Sequence, residues 1–233
     1  MFRVSDWYTS LACFTFPTVF IGLRVDEIAA LVDGDASGSR AAAVIDRIDR
    51  TLPHIRGSAF IHADACAPTD SASFQVAKGA IRSGDKGWGM LIESDKVKAA
   101  FKGGHTTRIC LHSYRRMDSI REFRVFVKDR QIVAMSQMRL DRHYGRLAGR
   151  RDEIWAKGRQ LIEDAAAGLP ADDIVVDVYL TSAGEYMIVD MNNFGPPTDP
   201  LLLRSWDRDW DEEVGLKLLA KPTRLGGEVQ VSF

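Results

Sequence analysis

"IVVDVYLTSAGEYMIVDMNNF", residues 174–194, reads as two apolar strands folded back on each other, each interrupted by one carboxylate, Asp177 or Asp190. If Ser182-Ala183-Gly184-Glu185 is the loop and Thr181 faces Tyr186, pairing inward from the turn sets Asp177 directly opposite Asp190. Side chains alternate along a strand, so Ile174, Val176, Val178 and Leu180 share an apolar face with Met187, Val189 and Met191. The aspartates share the other face, with Asn192 two residues beyond. Opposed carboxylates lie about 5 Å apart and, at an effective dielectric of about 20, repel by roughly 3 kcal/mol. Either one is protonated or a cation sits between them. Two carboxylates and an amide oxygen form a hard-oxygen set suited to Mg²⁺. The alternative is a different register, with both aspartates solvated at a sheet edge.

The 233 residues suffice for one large domain or two intimate subdomains. Hydrophobic content of 45% and charged content of 27% are those of an ordinary globular protein. A net charge of −1 gives no global field that would draw the chain to nucleic acid or a membrane. Three widely spaced cysteines, Cys13, Cys66 and Cys110, with no CxxC, argue for a reducing, cytoplasmic setting and against a zinc site. "LACFTFPTVFIGL" (11–23) is too short to span a bilayer, contains Pro17 and leads into "RVDE"; it is expected to be a buried strand.

"DGDASGS" (33–39) is the clearest linker, and "SRAAAVIDRIDRTL" after it is expected to be helical. Strands are expected at "GSAFIHA" and "RICLHSY", with "MLIESDKVKAAF" between them as strand then helix. "REFRVFVKDRQIVAMSQ" has the alternation of a second hairpin, and "RDEIWAKGRQLIEDAAAGL" that of a long amphipathic helix. Elements mixed in this order imply an α+β fold rather than a doubly wound sheet.

The usual phosphate loops are missing. "GAIRSGDKG" lacks the Gly-Lys-Ser/Thr of a P-loop, and there is no HExxH or GxSxG. Any nucleotide is therefore held by strands and side chains. On 122–128, alternation puts Phe123, Val125 and Val127 on one face and Glu122, Arg124 and Phe126 on the other. Arg124 suits a phosphate and Glu122 a ribose hydroxyl or base edge; the competing reading is a cross-strand ion pair on a solvated face. Arg139, Arg142, Arg146 and Arg150 would form one basic stripe if helical, either a polyphosphate contact or a solvated face.

"EFRVFVKDRQIVAMSQ" and "DVYLTSAGEYMIVDMNNFGPPTDPLLLRSWD" resemble the cell-division-cycle protein 123 family, as do, in order, "SDWY", "GSAFIHADACAPTDSA" and "GMLIESDKVKAAF". The resemblance implies an ATP-grasp fold with ATP between two subdomains, and Mg²⁺ on the residues matching Asp177, Asp190 and Asn192. It places Glu122 and Arg124 at nucleotide-contacting positions. The stretch from His62 to Asp70, including Ala67 and Thr69, matches another nucleotide-contacting segment. There the chain departs from the family: His62 replaces a lysine, Thr69 an arginine and Ala65 an aromatic residue, while Ala67 and Pro68 are retained. His112 and Ser113 fall on the family's Arg-Lys pair, unless a gap shifts it to Arg115 and Arg116. Met138 and Arg139 fall on Arg-Asp. The metal end is intact and the cationic end depleted, with Lys78, Lys86, Arg139 or Arg142 as possible substitutes. His62, if it stands in for the lysine, would carry charge only below its ordinary pKa of about 6.5.

The expected organisation is an N-terminal extension over 1–40 packed on the core, a first ATP-grasp subdomain over 41–113 and a second, carrying the metal-binding hairpin, over 114–233. The resemblance further implies an assembly chaperone for translation initiation factor 2, with a protein partner as well as ATP. The alternative is an ATP-grasp carboxylate-amine ligase acting through an acyl-phosphate. The Ala-, Arg- and Asp-rich composition and the lack of an acidic tail lead to the expectation of a bacterial or phage relative.

Overall fold

Two mostly antiparallel sheets, each with helices on one face, account for the chain in the computed structural model, which describes residues 2–221. The first sheet has β1 (Thr18–Gly22), β4 (Arg108–Ser113), β2 (Ala59–Ala63) and β3 (Ala80–Ile81) side by side in that order. Four helices cover one face: α2 (Val25–Asp33), α3 (Ser39–Thr51), α5 (Gly84–Glu93) and α6 (Asp95–Lys102). Alternation decides which residues meet them. Ala59, Ile61 and Ala63 of β2 and Ile109 and Leu111 of β4 enter the core, leaving Phe60, His62 and His112 on the opposite face. Between β2 and β3 lies one short helix, α4 (Ala72–Ala77).

The second sheet runs β8 (Tyr186–Asn193), β7 (Ile174–Leu180), β5 (Glu122–Lys128), β6 (Gln131–Gln137) and β9 (Gly215–Lys217), with only the β6–β9 pair parallel. The β5–β6 hairpin turns on Asp129 and Arg130, both at positive φ (49° and 61°), the twist that suits a two-residue connection. Contacts to Asp172 and Asp173 hold both turn residues in place. A short helix α7 (Gly145–Ala148) precedes α8 (Arg151–Ala165). Ile154, Gly158, Leu161, Ile162 and Ala165 recur at helical spacing on α8 and pack onto Phe123, Val125, Val176 and Val178. The other face carries Phe126 and Val175 beneath Trp206, Trp210 and Phe194. This is the expected α+β architecture, with a cavity between the two sheets.

Several expectations need correction. "MLIE" is not a strand but the last turn of α5, which starts on a Ser83 cap. Three glycines (84, 87 and 89) disguised that helix, since glycine is a poor helix former. At Gly84 the reason is close packing: a Cβ there would run into the backbone carbonyl of Ile45 on α3. Gly84→Ala is therefore expected to destabilise the protein by about 1–3 kcal/mol despite alanine's better propensity, measured by chemical denaturation. No stripe joins Arg139, Arg142, Arg146 and Arg150, because α7 spans only four residues. Arg139 pairs with Asp141 (2.9 Å), Arg150 with Glu153 (2.7 Å), and Arg142 lies over the Tyr144 ring.

Residues 1–40 contribute to both layers. Helix α1 (Val4–Leu11) sends Trp7 and Leu11 into the second core, while β1 and α2 are built into the first layer. Of "LACFTFPTVFIGL", only the part from Thr18 to Gly22 is strand. Residues 222–233 of the expected second subdomain lie outside the described residues.

The aspartate hairpin departs from the expected register and returns to it. Leu180, not Thr181, pairs with Tyr186, so the loop is Thr181–Glu185 and the register at the turn is one residue off expectation. Val178 then pairs with Ile188 while Asp177 pairs with Asp190, which leaves Val189 as a bulge. The bulge restores the register in time for the aspartates. Between turn and bulge the faces are exchanged: Tyr186 and Ile188 enter the core, while Met187 and Val189 are only partly buried. A one-residue slip must do this, because the side-chain period is two.

Candidate functional site

Arg124, Asp177 and Asp190 sit side by side across β5, β7 and β8, each the register partner of the next. The cation demanded by two facing carboxylates is thus supplied by the third strand. Arg124 grips Asp177 with two parallel bonds, Nε to Oδ1 and Nη2 to Oδ2, both 2.8 Å, and its Nη1 donates to the Asp199 carbonyl (2.8 Å). The side chains are only 11% and 10% exposed, so the cross-strand pair is real but not solvated. A fork-to-fork pair of this kind is the strongest geometry available to these groups.

Asn192 completes the row, its Nδ2 donating to Asp177 Oδ2 at 3.3 Å, which leaves its Oδ1 as an acceptor. Asp190 has no cationic side chain of its own among the described residues; its Oδ1 accepts from the Met191 N–H (2.9 Å). Protein crowded around that carboxylate, and next the Asp177 charge, push Asp190 up to about 6, although the residue still opens onto the cleft. Glu122, two residues before Arg124 on β5, is also raised, by burial first, then by Asp177 and Asp118.

Opposite lies an aromatic wall. His112 stacks between Phe16 (5.0 Å, 11°) and Phe60 (5.0 Å, 26°), with the His62 ring 5.6 Å away. Burial in this cluster, reinforced by His112, lowers His62 to about 4, so it is neutral at physiological pH. The expectation that His62 would gain charge just below pH 6.5 is corrected accordingly: a desolvated imidazole among rings stays neutral near pH 6. Its Nδ1 lies 2.8 Å from the Ala63 carbonyl.

Between the walls is a cavity of about 830 Å³. His62, Ala67, Thr69, Glu122 and Asp190 line it, as do Phe16, Phe60, Phe74, Lys78, Arg115 and Arg116. Arg124, Asp177 and Asn192 lie behind Asp190 in the strand row and do not line it. Sequence reasoning had not picked out the phenylalanines; only the β2 alternation that exposes Phe60 beside His62 could have flagged them. The size and mixed lining are those of a small-molecule site.

The donor chemistry fits a hard divalent ion in part. Asp190 Oδ2 and Asn192 Oδ1 are uncommitted to any bond described above, whereas both oxygens of Asp177 accept from Arg124. Among the described residues, no group of three His, Cys, Asp or Glu side chains is placed to hold a metal. A Mg²⁺ ion here would need the amide oxygen and oxygens of its own ligand, the usual manner of that ion.

The family model described as D123 matches residues 54–213. Curated relatives named translation initiation factor eIF2 assembly protein are 33% identical over 94 residues in Xenopus tropicalis and 34% over 105 in Danio rerio. These alignments span 39% and 44% of this chain but only 28% and 29% of the relatives. The structure of Cdc123 from Schizosaccharomyces pombe superposes with a TM-score of 0.75 at 22% identity, covering 88% of this chain and 87% of that one. These relatives are eukaryotic and lend no support to the expected bacterial or phage origin. With the family model covering more than half of the residues, among them both strands of the aspartate hairpin, the chain belongs to the D123 family.

Proposed function

We propose that the protein binds Mg-ATP in the cavity between its sheets and acts in the cytoplasm as an assembly factor, its partners being subunits of translation initiation factor 2. The observation that carries the nucleotide reading is Asp190: a carboxylate held up at about 6, beside an amide oxygen, opening onto an aromatic-walled cavity of about 830 Å³. Asp190 and Asn192, with Asp177 behind them, would hold Mg²⁺, which would screen the nucleotide's phosphates; the aromatic wall suits a purine. The partner rests on what the relatives are named for. Binding is favoured over ligation because neutral residues, His62 and Thr69, occupy the family's lysine and arginine positions, and a transfer step relies on such cations.

The test is calorimetric titration with Mg²⁺ and a non-hydrolysable ATP analogue, with and without EDTA. Binding is expected in Mg²⁺ and not in EDTA; equal affinity in both would sink the metal site. Addition of the factor's subunits should change the nucleotide affinity, since coupling is reciprocal. ADP release that depends on an amine or peptide acceptor would instead make the protein a ligase.

A further inference from the structure

The first N–H groups of a helix have no acceptor within it, so α1 must find acceptors elsewhere. It finds them in the other layer. Asp64 follows β2, with its own N–H donating to the Arg108 carbonyl (3.0 Å), and is only 3% exposed. Its carbonyl accepts from the Val4 N–H (3.0 Å), its Oδ1 from the Ser5 N–H (2.8 Å) and its Oδ2 from Ser5 Oγ (2.5 Å). A carboxylate there also meets the positive end of the helix dipole. The start of α1 is thus fastened to the first sheet.

The rest of α1 belongs to the second layer. Trp7 and Leu11 are buried in its core, and Leu11 and the Ser10 carbonyl lie against Gly168, just after α8. Thr15 then donates through Oγ1 to the Ile188 carbonyl of β8 (2.8 Å), beside the bulge that leads to Asp190. At Thr18, the start of β1, the chain is back in the first sheet. There the Thr18 N–H donates to the hydroxyl of Tyr8 on α1 (2.9 Å), and the Tyr8 ring meets Phe20 edge-on at 5.2 Å. Phe16, between the two layers, stacks on His112. Asn193 aside, no hydrogen bond or ion pair among the described residues joins residues 18–113 directly to residues 119–221. The bonds between the layers run through the segment before β1, and Val4 and Asp64 both line the cavity.

We infer that residues 2–17 are a strap between the two layers, and that the Ser5–Asp64 contact is the latch that sets how far the cavity opens. With the latch made, the first sheet is held at β2 as well as at β1. With it broken, that sheet stays joined to the second layer at two chain crossings, residues 15–18 and 114–118, about which it can turn. The two partners are unequally accessible: Ser5 is partly exposed, whereas Asp64 is buried. A negative charge brought to Ser5 would therefore repel a carboxylate that has no room to retreat, and release the strap. This holds whatever ligand occupies the cavity.

The chain carries its own reporters: Cys66 lines the cavity, Cys110 is buried in the first layer and Cys13 is exposed. The probe is a bulky maleimide, with the labelled cysteines located by mass spectrometry. Ser5→Ala keeps the Ser5 N–H bond and is expected to fold; it should raise the labelling rate at Cys66 about fivefold, the loss of one hydrogen bond. Ser5→Asp, which adds repulsion, should raise it by roughly tenfold or more. In both variants Cys13 should react as in the parent and Cys110 should stay protected. Combining Ser5→Asp with Asp64→Asn again sets a donor against an acceptor, and should return the Cys66 rate towards that of the parent. A parent-like Cys66 rate in Ser5→Asp would overturn the latch, and so would a double variant as fast as Ser5→Asp alone. Equal acceleration at Cys110 and Cys66 would overturn it too, because the contact would then support the whole fold rather than the opening of the cavity.

Discussion

Asp190→Asn is expected to weaken Mg²⁺-dependent nucleotide binding by at least 100-fold while making the free protein more stable at pH 8. The two effects share one cause. Asp190 faces Asp177 across the β7–β8 ladder, and it is Asp177, not Asp190, that has captured Arg124. The asparagine keeps an oxygen for the Met191 N–H, so the bulge is preserved and only the charge is lost. Without that charge, the metal has no anionic ligand left that is free of a guanidinium.

The pH dependence follows from the sign of the shift. Asp190 is raised from 3.8 to about 6, so the folded state holds its proton more tightly than the unfolded chain does. The stability this confers is complete below pH 3.8 and is lost as pH rises through about 6. The full interval corresponds to at most about 3 kcal/mol. Cavity water screens an exposed group, so a gain of about 1 kcal/mol is expected for Asp190→Asn at pH 8, and none at pH 4. Thermal melts at the two pH values check this. In the parent, Mg-ATP affinity should climb between pH 5 and pH 7, because the metal must displace the proton. A profile without that climb, or unchanged affinity in Asp190→Asn, would remove Asp190 from the site.

The aspartate hairpin also shows what was legible in the sequence. Alternation fixed the core-facing side of β7, but the pairing of Asp177 with Asp190 came out as expected only because the bulge at Val189 cancels the one-residue error at the turn. The identity of the compensating cation was not legible: Arg124 arrives from β5, about 50 residues earlier, and nothing local to the hairpin announces a third strand. The bulge at Val189 was equally invisible, since its apolar side chain fits either face. Helix α5 was obscured by its glycines, of which Gly84 answers to the approach of α3 and Gly87 to Ile61 and Ile81 of the sheet, tertiary demands that override propensity. His62 was read as a weak cation from its residue type alone; its neutrality depends on Phe60 and His112, the latter 50 residues away in sequence and adjacent only through β2–β4 pairing. Charge, in this fold, is decided by neighbours across strands.

Removal of Arg124 therefore carries the largest stability cost. Arg124→Ala leaves Asp177 about nine-tenths buried, with Oδ1 stripped of its donor and Oδ2 left only the longer bond from Asn192, facing Asp190 and with the Asp199 carbonyl without its Arg124 donor. Breaking one side of a buried pair costs about 3–5 kcal/mol, which for a chain of this size lowers the melting temperature by roughly 10 °C. Replacing both members, as Arg124→Met with Asp177→Leu, should recover most of that loss, because the penalty lies in the abandoned charge rather than in the pair's net worth. Millimolar Mg²⁺ separates a structural pair from a functional one. With the guanidinium gone, Asp177, Asp190 and Asn192 present a full oxygen set, so Mg²⁺ alone should stabilise Arg124→Ala more than it stabilises the parent, and should not rescue the double variant. A loss below 1 kcal/mol in Arg124→Ala would show that the pair is only incidental. A melting temperature in that variant indifferent to Mg²⁺ would show that these three side chains do not converge on a common ion.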